Sequence, residues 1–121
     1  MIEFTTDSCE GACVVHISGS FEPSDDPVHL VEHVVEQVGD QPLIVDLSRL
    51  EPLTGTKVTI LLRALARAIS HATTVLIHPD LDARRSLRAR AHGLPVVPSN
   101  DLVLHGRFAS ALVANRDDPV A

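Results

Sequence analysis

The sequence predicts an α/β domain with a mixed sheet of about five strands, parallel at its centre, and about four helices packed on it. Three observations support this. Strand-like and helix-like segments alternate from residue 12 to residue 97, the order that a series of right-handed strand–helix–strand units requires. The 121 residues suit one core between a sheet and a helical layer and leave no room for a second domain. Hydrophobic residues make up 45% and charged residues 21% of the chain, the balance of a globular protein and not of a disordered one.

The elements follow in order. Residues 2–5 and 13–18 are rich in β-branched and apolar side chains and flank a glycine-containing turn, which reads as a hairpin. A loop dense in turn residues, 19–27, ends with Asp26 as a helix cap and Pro27 as the first helical residue. The first helix then carries Val28, Val31, Val34, Val35 and Val38 at 3.6-residue spacing, with His29, Glu32, His33 and Glu36 opposite, and stops at Gly39. Leu43, Ile44 and Val45 form a short, continuously apolar central strand before Asp46-Leu47-Ser48. Over 57–69, Val58, Leu61, Leu62, Leu65 and Ile69 make the stripe of a second helix, with Arg63 and Arg67 away from it. Residues 73–77 read as a strand, 81–91 as a third helix ended by Gly93, and Val96-Val97 as a short fifth strand. A fourth helix is expected from 106 or 107 to about 114, with 101–104 unassigned and 115–121 a frayed tail.

Charge and composition narrow the function. The net charge of −6 opposes general nucleic-acid binding, which needs clustered cations. Residues 1–48 hold ten acids and no base, −10, whereas the remainder has ten bases against six acids, +4; such an asymmetry can orient a charged partner unless the halves intermix on folding. Three phenylalanines and no Tyr or Trp leave the core to Val, Leu, Ile and Ala and argue against base-stacking or sugar platforms. No apolar run reaches the roughly 20 residues a bilayer span needs, and residues 1–7 lack the basic start and apolar stretch of a signal peptide, so a cytoplasmic address without membrane insertion is expected. Cys9 and Cys13 are expected as reduced thiols. If a three-residue hairpin loop sets them opposite each other, a redox-responsive disulfide becomes possible.

The order of elements and three local features resemble the STAS domain, shared by anti-sigma-factor antagonists and the cytoplasmic tails of sulphate transporters. Residues 14–21, Val-Val-His-Ile-Ser-Gly-Ser-Phe, are similar to the family's strand ending in Gly-Glu-Leu-Asp. Residues 43–50, Leu-Ile-Val-Asp-Leu-Ser-Arg-Leu, resemble its central strand and Asp-Leu-Ser signature. Residues 53–56, Leu-Thr-Gly-Thr, lead into a helix where the family has Asp-Ser-Ser-Gly. The likeness covers about residues 10–114. It implies a single non-catalytic domain without cofactor that binds a kinase-like anti-sigma factor, or another regulatory protein, and releases a sigma factor until the kinase phosphorylates the first serine of that motif.

Aligned on Asp46-Leu47-Ser48, the chain has Thr54 at the motif's Asp, Gly55 at the phosphorylated Ser, Thr56 at the second Ser and Lys57 at the Gly. The usual switch position therefore lacks a hydroxyl. Three outcomes stay open: phosphorylation moved to Thr54 or Thr56, regulation by other means, or a module with no switch. Both threonines also suit helix N-capping. The partner surface implied by the resemblance is Leu53, Thr54, Gly55, Thr56 and Lys57 with the exposed side of the second helix.

Two other constellations bear on function. His29-x-x-Glu32-His33 has zinc-ligand spacing but sits opposite the valine stripe, where a solvated helix face offers no closed site. Arg84, Arg85, Arg88 and Arg90 suit phosphates or an acidic partner, but they spread around their helix. One alternative function is a non-catalytic subunit of a larger transport or stress-sensing complex. Another is a small metal- or redox-dependent enzyme using His29, Glu32 and His33 or the cysteine pair.

Overall fold

Segments rich in β-branched residues pair into one five-stranded sheet in the computed structural model, which describes residues 1–9, 11–69 and 74–98. The strands are β1 (Glu3–Cys9), β2 (Ala12–Gly19), β3 (Leu43–Leu50), β4 (Thr74–Ile77) and β5 (Val96–Val97), and they lie in the sheet in sequence order. β1 runs antiparallel to β2, and β2 to β5 are parallel. Between them come α1 (Pro27–Val38), α2 (Thr56–Ala68) and α3 (Leu81–Arg88). Consecutive parallel strands with right-handed connections put successive helices on the same face. The main core accordingly joins Val15, Ile17, Val45 and Leu47 of the sheet to Leu30 and Val34 of α1, Leu61 and Leu65 of α2, and Leu87 of α3. Ala12, Val14, Ile44, Val75, Ile77 and Val97 form a second buried cluster on the opposite face. The mixed α/β class is as expected. Three helices lie among the described residues. The fourth expected helix, the 101–104 stretch and the 115–121 tail lie outside them.

Several boundaries differ from the sequence expectation. β1 is longer, so only residues 10 and 11 connect it to β2; Cys9 pairs with Ala12 and Cys13 with Ser8. The cysteines are thus offset in the ladder, not opposite, and Cys13 is buried in the main core. β3 continues to Leu50 because Ser18 and Gly19 of β2 pair with Arg49 and Leu50 beyond a bulge between His16 and Ser18. Asp46-Leu47-Ser48 is therefore strand and not turn. Gly19, at φ +91°, is required where the chain passes the N-terminus: a Cβ there would collide with the Met1 carbonyl oxygen.

α1 starts as predicted, with Asp26 Oδ1 accepting from the Val28 and His29 amides at 3.0 and 3.5 Å and Gly39 closing the helix. Its buried stripe is Leu30, Val31, Val34 and Val38, whereas Val28 is 44% exposed. The apolar arc is wider than the sheet can cover, and its edge turns toward α2. α3 ends three residues short of the expected 91, where the chain turns with the Arg90 amide donating to the Leu87 carbonyl at 3.0 Å. Among the described residues no helix is long and apolar enough to cross a membrane.

Candidate functional site

The 53–57 loop lies between the end of β3 and the start of α2, at the ends of the parallel strands, where connections of this fold type present side chains to ligands and partners. Each end of the loop is held. Leu53 is half-buried against the main core, and its carbonyl accepts from the Arg90 guanidinium, which also takes Ser86 Oγ at 2.9 Å and Thr59 Oγ1 at 3.4 Å. At the other end Lys57 Nζ donates to the carbonyls of Glu22, Pro23 and Asp25 at 2.7, 2.9 and 2.5 Å. An ammonium with three carbonyl acceptors has its donors satisfied, so Lys57 fastens the β2–α1 loop to α2 and is not a free charge for a partner.

Between these anchors Thr54, Gly55 and Thr56 are exposed. Gly55, at φ 113° and ψ 166°, is the N-cap of α2, a backbone region that is essentially restricted to glycine. No side chain caps the helix, so the capping role expected of Thr54 or Thr56 is not found. Neither threonine hydroxyl makes a hydrogen bond among the described residues, whereas Thr59 Oγ1 donates back to the Gly55 carbonyl at 3.1 Å. The first amides of α2 carry the positive end of its dipole at this exposed surface. Two depressions flank the loop: one of about 220 Å³ walled by Phe21, Pro52 and Val58, and one of about 660 Å³ walled by Ile60, Arg63, Ser86 and Arg90. Of the five sequence-predicted residues, Leu53 and Lys57 thus serve as anchors and Thr54, Gly55 and Thr56 form the exposed ridge between them.

The other candidates lie elsewhere. His29 and His33 are exposed, with Nε2 atoms 3.0 Å apart and rings edge to face. Among the described residues no group of three His, Cys, Asp or Glu side chains is placed to hold a metal. Two of the α3 arginines brace the fold: Arg84 donates to the His78 and Pro79 carbonyls at 3.1 and 2.8 Å, and Arg88 to the Val96 carbonyl at 2.8 Å. Arg85 meets Asp82 at 3.8 Å.

One cluster was not singled out from sequence. His16 and Asp46 are ladder partners, and His16 Nδ1 donates to Asp46 Oδ2 at 2.8 Å. Asp46 Oδ1 accepts from the Ser48 amide at 3.0 Å. Burial pushes the Asp46 carboxyl up, but the Ser48 amide and hydroxyl and the His16 imidazole together hold it below the ordinary carboxylate range. His16 Nε2 faces a second carboxylate, Asp7, at 3.6 Å. With a carboxylate on each side, the imidazole ties β1, β2 and β3 together. The only sequence signal was an Asp and a His in separate strand segments, which share a site only once the register is known.

A comparison with solved structures finds an anti-sigma factor antagonist from Mycobacterium paratuberculosis similar over 97% of this chain and 96% of that one, with a TM-score of 0.66 and 24% sequence identity. The two chains share a fold. No family model and no curated protein matches the chain.

Proposed function

We propose that this chain is a non-catalytic regulatory module that docks a kinase-like anti-sigma factor through residues 53–57 and the start of α2, and so frees a sigma factor. The observation that carries this reading is the ridge itself: an exposed Thr-Gly-Thr held at both ends by Arg90 and Lys57, at an uncapped helix N-terminus. A pre-anchored loop loses little conformational entropy on docking. The similarity in fold to an anti-sigma factor antagonist supports the same partner class.

Gly55 argues for a module without the family's serine switch, because its backbone conformation suits glycine and not serine. Thr54 and Thr56 remain the hydroxyls a kinase could reach. A phosphate on either would add about −1.5 to −2 charge in the middle of the docking surface.

Affinity capture from the native cell with the wild-type chain and with Thr54→Glu/Thr56→Glu tests the reading. Acidic residues suit a helix N-terminus, and Thr54 and Thr56 flank the N-cap of α2, so the variant should fold while its surface turns repulsive. Recovery of a kinase-like anti-sigma factor by the wild type alone is expected. Equal recovery by both, or recovery of a membrane transport assembly in its place, overturns this assignment, and the second result favours the transport-subunit alternative.

A further inference from the structure

The acidic and basic halves of the sequence meet on one surface, and it is not the 53–57 ridge. α1 belongs to the acidic half and α2 to the basic half. Both helices connect parallel strands on the same face of the sheet, so they run side by side in the same direction. Between them lies an apolar groove of about 600 Å³, floored by Val28 and Val35 of α1 and by Ile60 and Ala64 of α2. Glu32 and Glu36 line its α1 side; Arg63 and Arg67 line its α2 side. All four charged residues are exposed. Among the described residues no ion pair crosses the groove, and the only partner of the four is His33, at 4.0 Å from Glu36.

We propose that this groove is the interface of a two-fold homodimer in which Glu32 and Glu36 of each copy face Arg63 and Arg67 of the other. Both rows have i,i+4 spacing, one helical turn. A two-fold axis along the groove lays α1 of one copy on α2 of the other with the helices parallel, so rows of equal pitch and opposite sign come into register. The same rotation closes Val28 of each copy, which is 44% exposed, toward Ile60 of the other. An isologous contact needs a self-complementary patch, and a face with one acidic and one basic row of matched spacing has that property. An unrelated amphipathic helix would have to carry the inverse pattern independently.

Sedimentation equilibrium of three proteins tests the proposal: the wild type, Glu32→Lys/Glu36→Lys, and Arg63→Glu/Arg67→Glu. The expected wild-type mass is twice the 13.0 kDa of one chain. Each variant has two rows of one sign and should associate at least about tenfold more weakly, because like charges across an interface repel. An equimolar mixture of the two variants restores opposite rows and should return to the dimer mass. A wild type that stays at the mass of one chain overturns the proposal, as does a folded variant that dimerises alone as tightly as the wild type. A mixture of folded variants that stays monomeric also overturns it. The Glu32/Glu36 variant lies outside the 53–57 ridge, so its failure to dimerise is separable from any loss of partner binding.

Discussion

At the scale of single residues, Gly55 and Asp46 carry the sharpest consequences. A Cβ at position 55 meets nothing within 4 Å, so Gly55→Ser causes no collision, and its whole cost is the backbone at φ 113°. That cost is about 1–3 kcal/mol, read as a lower denaturation midpoint with an unchanged m-value. Serine at this position, as in the STAS motif that the loop resembles, therefore weakens the fold. For Asp46, a carboxyl held below its ordinary range in the native state adds stability that is fully present above the unfolded-state pKa of about 4 and is lost as pH falls through the native value. Thermal melts from pH 6 down to pH 2 should show this acid loss. Asp46→Asn should be less stable by about 1–3 kcal/mol at neutral pH, through the weakened bonds to Ser48 and His16, and should lose less on acidification.

At the scale of elements, the loop before α2 depends on residues distant in sequence. Lys57→Met removes the donor that three carbonyls of the β2–α1 loop share. Arg90→Met removes the clamp on Leu53, Thr59 and Ser86. Each variant should speed amide hydrogen exchange within 53–57 by about tenfold or more, equivalent to about 1.4 kcal/mol of local stability, while exchange in β3 stays slow; unchanged loop exchange would show that the clamps do not order the ridge. These anchors mark where the sequence was legible and where it was not. The valine rhythm and the Asp26-Pro27 start gave α1, the stripe from Val58 to Leu65 gave α2, and the short apolar runs gave the central strands, because those signals are local. The hairpin length, the reach of β3 to Leu50 and the pairing of His16 with Asp46 depend on register, which is set across strands. The anchoring role of Lys57, which the resemblance placed on the partner surface, was not legible because its three acceptors lie 32 to 35 residues away. The expected stripe of α1 included Val28, which is exposed, and omitted Leu30, which is buried, because periodicity cannot say which edge of the apolar arc its neighbours cover.

At the scale of the whole molecule, sequence order and sheet order coincide, so α1, α2 and α3 share one face and the loops before and after them gather at the sheet's ends. This topology sets two surfaces near each other. The 53–57 ridge sits at the start of α2, and the groove of opposed charges lies along α1 and α2, with Ile60 and Arg63 bordering both the groove and the larger depression beside the ridge. A docked partner and a second copy would therefore be neighbours on α2. The central claim is that the ridge is the docking surface for an anti-sigma factor. Isothermal titration of a purified kinase-like anti-sigma factor from the same organism into the wild type and into Thr54→Glu/Thr56→Glu tests it most directly. Saturable binding by the wild type, weakened at least about tenfold in the variant, is the predicted result; no heat of binding from the wild type, or equal affinity for both chains, would contradict the claim.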